Sequence, residues 1–134
     1  MGHNFLAVTA VVAAAVVATA LPGGSAAQVL DVPVMIGGEP DLDACSGVGR
    51  IARRNPRGDG VLAVRAGPST DYAKIDELYN GDIVVICDQD GRWSGVVYGG
   101  ADCGTSSPVP RRMAYRGPCR AGWVFDRYVD YIAG

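Results

Sequence analysis

Three pairs, Asp59-Gly60, Asn80-Gly81 and Asp90-Gly91, punctuate the middle of this chain, and short runs of β-branched and aromatic residues lie between them. Glycine enters the positive-φ region without a steric penalty, and an Asx-Gly pair suits the tight turn of a hairpin. The runs on either side therefore read as strands. Val61 to Arg65 leads into Gly67-Pro68, which continues no regular element. Ile83 to Cys87 and Trp93 to Tyr98 flank Asp90-Gly91, and Cys45 to Ile51 is a further candidate strand ahead of them. No window after the first twenty residues keeps a helical period. Short strands at close spacing, broken by glycine turns, predict an all-β fold, a small barrel. A generic β-sandwich fits the same pattern.

Phe5 to Leu21 is apolar apart from two threonines, and no Asp, Glu, Lys or Arg precedes Asp31. Pro22-Gly23-Gly24 ends that run, and Ser25-Ala26-Ala27 supplies the small residues that a signal peptidase reads. The expectation is a signal peptide over 1–27, cleaved after Ala27, with Ala18-Thr19-Ala20 as the lesser site. The n-region lacks Lys and Arg, and an uncleaved anchor is the alternative, since the run is at the short edge of what spans ~30 Å of hydrocarbon. After cleavage no stable membrane span is expected. The chain would then be periplasmic or secreted, long enough for one domain but not for a large core. Four cysteines, Cys45, Cys87, Cys103 and Cys119, suit an oxidising compartment and two disulfides, with three possible connectivities. Structural zinc is disfavoured because no C-x-x-C spacing occurs.

The run Leu62-Ala63-Val64-Arg65-Ala66-Gly67-Pro68-Ser69-Thr70-Asp71-Tyr72 resembles the opening motif of bacterial SH3 domains, Val-Arg-x-Gly-Pro-Ser followed shortly by Tyr. The rest of that pattern follows in order: Leu78 with Asn80-Gly81, Ile83 to Ile86, Trp93 with Val96-Val97-Tyr98, then Gly122-Trp123-Val124 with Tyr128-Val129. The resemblance covers roughly 61–131. It implies an SH3-like barrel and a non-catalytic binding module. Residues 28–44, with two prolines and four acidic residues, are expected to be an extended amino-terminal arm, and 45–134 the barrel domain. Ala63 and Ala66 stand where such domains more often carry Asn and Ser.

Against that family pattern, Gly99 to Ala121 is an insertion of about twenty residues where a tight turn would serve, and connections this long tend to be functional or disordered. Cys103 and Cys119 lie almost at its ends. The preferred pairs are Cys103–Cys119, clasping the insertion, and Cys45–Cys87, tying the arm to a barrel strand. Arg111, Arg112, Arg116 and Arg120 in this segment face only Asp102 in charge, with Met113 and Tyr115 beside them.

The only histidine is His3, so the mature chain has none. That removes His-based nucleophilic catalysis and His-rich zinc sites. Asp82, Asp88, Asp90, Asp126 and Asp130 leave a carboxylate hydrolase formally open, but such a site needs a cleft between unlike carboxyls, and these residues suit turns and strand ends. A net charge of −2 marks no nucleic-acid partner. No cofactor or metal is expected.

Recognition is the better-supported reading. Tyr72, Trp93 and Tyr98 are the candidate groove residues, and Arg111, Arg112, Tyr115 and Arg116 the candidate contacts on the insertion, where guanidinium pairs with carboxylate. Trp123 is assigned to the core and Arg65 to a structural bond. The expected ligand, by analogy with similar domains, is an extended peptidoglycan peptide. The alternative is a periplasmic protein partner or target of inhibition, held by the 99–121 loop.

Overall fold

Among the described residues every strand pairs antiparallel, and all but two short ones join a single curled sheet. The computed structural model describes residues 2–3, 7–17, 30–53 and 60–134. Both expected cleavage sites, the first residues of the arm and Asp59 lie outside the described residues. In chain order the elements are β1 (Met35–Ile36), β2 (Gly47–Ile51), β3 (Val61–Arg65), β4 (Lys74–Tyr79), β5 (Ile83–Asp90), β6 (Trp93–Tyr98), β7 (Met113–Ala114), β8 (Arg120–Phe125), a 3-10 turn (Asp126–Tyr128) and β9 (Val129–Ala133). The large sheet runs β4-β3-β8-β6-β5-β2-β9, and β1 pairs β7. Among the described residues no helix is long and apolar enough to cross a membrane.

Curling of the sheet follows from its core. Ile51, Leu62, Val64, Leu78, Val84, Val96, Tyr98 and Val124 form one buried cluster drawn from six strands. β4 and β2 stand five places apart in the order, which in a flat sheet would separate them by ~24 Å. Leu78 and Ile51 can share a cluster only if the sheet closes on itself as a small barrel. Gly81 and Gly91 hold positive φ, as their turns require. At the second turn the strands run to Asp90 and resume at Trp93, so Gly91 and Arg92 are the loop residues, one position later than Asp90-Gly91 implied.

β6 and β8 are buried on both faces, so they lack the alternation of a half-exposed strand. Val96 and Val124 point into the barrel. Val97, Ala121 and Trp123 point outward into a second cluster with Val34, Cys103, Leu30, Val32, Tyr115 and Cys119. The cover is the arm and the insertion. Trp123, 2% exposed, donates from Nε1 to the Val32 carbonyl at 2.8 Å. Gly95, opposite Trp123 in the ladder, leaves the space that Val34 fills: a Cβ there would lie 3.1 Å from Val34 Cγ1. The arm is thus a built part of the fold.

A bulge in β5 makes the anchor for that cover. The register shifts between Ile86 and Asp88, which brings Asp88 opposite Gly95 on the outer face. Asp88 Oδ2 accepts the Met35 amide at 3.0 Å and Oδ1 accepts Arg112 Nη2 at 3.0 Å. Cys87, at the bulge, bonds to Cys45. The second disulfide joins Cys103 to Cys119, so both expected pairs are present. Inside the clasp the Tyr115 hydroxyl donates to the Cys103 carbonyl at 2.7 Å and accepts from the Cys119 amide at 3.1 Å. Replacing both Cys103 and Cys119 with serine should speed proteolysis between Gly99 and Cys119 while the barrel strands stay protected. Limited proteolysis with mass mapping reads this directly, and equal cutting in both proteins would contradict the clasp.

On the opposite side, Asp76 ties three elements together. Its Oδ2 accepts from the buried Tyr98 hydroxyl at 2.8 Å and from Arg120 Nη1 at 3.0 Å. Burial pushes the carboxyl up, but the Glu77 amide, the Tyr98 hydroxyl and Arg120 together outweigh it and hold it below its ordinary 3.8. A depressed folded value means that the unfolded chain takes up its proton first as pH falls. The stabilisation is therefore present above about pH 4 and is lost as pH drops through the folded value. Asp76→Asn should shrink the loss of stability between pH 6 and pH 3, measured by urea melts at each pH.

Candidate functional site

Where the arm stops covering the outer face of β6 and β8, an open groove of about 540 Å³ begins. Its floor is aromatic. Trp93 opens β6 and stands directly opposite Phe125 at the end of β8, with ring centroids 5.6 Å apart in an edge-to-face arrangement. Tyr128, from the 3-10 turn that follows, adds a third ring 6.0 Å from Phe125. One wall is the loop after β3, through Pro68, Ser69 and Thr70.

The local sequence builds that wall. Arg65 ends β3 and donates from Nη1 to the Tyr72 carbonyl at 3.0 Å, closing the loop across its base. The Ser69 hydroxyl accepts the Asp71 amide at 3.0 Å, an ST-turn. Gly67 is needed for close approach: a Cβ there would sit 2.6 Å from the Tyr72 ring. Ala66 is buried, and its carbonyl accepts the Val32 amide at 3.0 Å, so arm and loop are joined at the edge of the groove.

Two guanidinium groups flank the rings. Arg53 lies over Tyr128, 5.2 Å from the ring centroid, and donates to the Val61 carbonyl at 2.7 Å. Arg65 also lines the groove. Neither forms an ion pair with a carboxylate among the described residues. Among the described residues each makes one guanidinium bond, to a backbone carbonyl, and a guanidinium carries five N–H donors. An aromatic floor with guanidinium groups at its edge suits an extended chain that carries a carboxylate.

Of the residues singled out in the sequence, this groove holds Trp93 and Arg65. Tyr98 stands inside the barrel at 5% exposure with its hydroxyl on Asp76, so it offers a ligand no surface. Tyr72 is half-buried behind the loop, its ring against Gly67, and supports the wall without lining the groove. Arg112 is spent on Asp88, and Tyr115 on the clasp. Arg111 and Arg116 are exposed and have no ion pair among the described residues. None of the four lines the groove.

The residues that sequence reasoning missed are Phe125, Tyr128 and Arg53. A signal for Phe125 existed: it stands two residues after Trp123 in a strand and so shares its face. The pairing of Arg53 with Tyr128 depends on where β2 and β9 meet, and no local pattern carried it.

Three of the five aspartates considered for hydrolysis are engaged in structural bonds. Asp82 Oδ2 accepts the Tyr79 amide at 2.7 Å, Asp88 anchors the arm, and Asp126 accepts Gln89 Nε2 at 3.2 Å. Among the described residues no group of three His, Cys, Asp or Glu side chains is placed to hold a metal.

A family model described as bacterial SH3 domain matches residues 60–130, more than half of the chain. That span contains the loop after β3, both tryptophans and the 3-10 turn, and excludes the arm and Arg53. No curated protein and no solved structure matches the chain.

Proposed function

The chain belongs to the bacterial SH3 domain family, and from that premise we propose an exported, non-catalytic module that binds an extended, carboxylate-bearing peptide, of which cell-wall peptide is the class favoured by analogy. The observation that carries this reading is the groove itself: the half-buried rings of Trp93, Phe125 and Tyr128 stand in a row beside Arg53 and Arg65, which form no ion pair among the described residues. The peptide would lie across the rings, with its carboxylate on a guanidinium through two parallel bonds. Two disulfides suit an oxidising compartment outside the cytoplasm.

A second reading, binding of a protein partner through the insertion, has its own support. Arg111, Arg116 and Met113, which is 42% exposed, present charge and apolar surface on a segment that the clasp holds in shape. One experiment separates the two. Mature protein and Trp93→Ala are incubated with purified peptidoglycan, and both sedimentation and release of soluble fragments are followed. Retention of the parent protein, weakened about tenfold or more in Trp93→Ala, is expected, since an aromatic contact contributes on the order of 1–2 kcal/mol. No retention of either protein favours the partner reading. Release of fragments would mean hydrolysis and contradict both.

A further inference from the structure

Another large concavity, of about 750 Å³, lies where residues 37–48, from the arm into β2, meet residues 100–106 of the insertion. Its floor holds Val85 and both walls are fixed by disulfides, since Cys45, Cys87 and Cys103 all line it. The charged side chains at its lining are all acidic: Glu39, Asp41, Asp43 and Asp102. Glu39, Asp41 and Asp43 form no ion pair or side-chain hydrogen bond among the described residues, whereas Asp102 accepts only the Gly104 amide at 3.1 Å.

Acidic residues at a surface are ordinarily a solvated rim. A second observation separates this site from that case. Thr105 also lines the cavity, is 7% exposed, and its hydroxyl has no hydrogen-bond partner among the described residues. Buried hydroxyls are almost always bonded, and one left bare costs stability. Thr105 therefore stands ready for a partner that enters from the cavity.

We propose that this cavity is a binding site for a cationic peptide side chain, a lysine or arginine presented by a partner protein. The head group donates to the Thr105 hydroxyl while the carboxylates of Asp41, Asp43 and Glu39 balance its charge. The aliphatic stem of such a side chain lies along Val85 and Leu42, the latter 62% exposed in the free protein. Residues 37–48, β5 and the insertion build the site together, and its residues 37–48 lie outside the span that the family model matches. It is separate from the aromatic groove, and its test does not depend on that groove.

The test uses acetyl-Gly-Lys-Gly-Lys-Gly-amide as probe, with the Glu analogue as control, followed by amide chemical shifts of the mature protein. Saturable shifts confined to 37–48 and 100–106 are expected with the lysine peptide alone. Asp41→Asn/Asp43→Asn should weaken binding tenfold or more at 0.15 M salt. Thr105→Val should weaken it severalfold while the melting temperature holds or rises, because the hydroxyl it removes is unbonded in the free protein. Shifts spread over other acidic surface such as Asp71, binding unchanged in Thr105→Val, or a lower melting temperature in that variant would overturn the proposal. So would calcium producing the same local shifts while the peptide produces none.

Discussion

Trp123→Ala should destabilise the domain by ~3–5 kcal/mol and release the arm with it. The side chain is 2% exposed and lies between β8 and the arm, and burying an indole withdraws ~150–250 Å² from water. At ~25 cal/mol per Å², that burial alone contributes about 4–6 kcal/mol. The substitution also removes the donor to the Val32 carbonyl, leaving Val34 over an emptied socket beside Gly95. Loss should therefore be local as well as global. Hydrogen exchange at the Val32 and Met35 amides, which bond to Ala66 and Asp88, is expected to accelerate more than exchange in β3 or β5. A variant of near-parental stability with an equally protected arm would show that the outer cluster contributes little to the fold.

Gly122→Ala tests the inner cluster in the same strand. Gly122 pairs with Val96, and a Cβ on it would overlap Val64 Cγ1 and lie 3.3 Å from the Arg65 carbonyl. Val64 is fully buried and has no space to retreat into, so β3 itself would have to move. Replacing glycine ordinarily stabilises by ~0.4–1 kcal/mol through the unfolded chain. Overpacking costs ~1–3 kcal/mol and outweighs that gain. The shift of β3 would carry Arg65 and the groove wall with it. Adding Val64→Ala should restore part of the loss, so that the double variant falls short of the sum of the singles. Denaturant titration of the four proteins reads the outcome, and strict additivity would contradict the contact.

Strand placement was largely legible because it rests on local chemistry. Val61–Arg65 and Trp93–Tyr98 are strands as their residue types imply, and Gly81 and Gly91 occupy the turns that required them. The position of the insertion favoured Cys103–Cys119 among three connectivities, and that pair and Cys45–Cys87 are the ones present. What stayed hidden was non-local. The acidic, proline-containing arm reads as a linker, yet Val32 and Val34 alternate with polar or prolyl residues as an outer cover requires. The bulge that turns Asp88 outward has no sequence signature, so Arg112 looked like a candidate contact although it closes an internal ion pair. Tyr98 was misplaced for a related reason. β6 is apolar on both faces, and sequence does not say which face is the interior. Trp93 and Trp123 share one face, and only the extent of the arm decides that one is covered and the other open.

That difference between the two tryptophans supplies the most direct measurement. The protein has two indole N–H groups: Trp123 donates inside the fold to Val32, and Trp93 lies in the groove. Both signals can be followed in one ¹⁵N spectrum while a soluble cell-wall peptide with a free carboxylate is added. The Trp93 signal is predicted to shift and saturate while the Trp123 signal stays in place. A Trp93 signal that does not move while the peptide binds elsewhere, or at any peptide concentration, would contradict recognition by the aromatic groove.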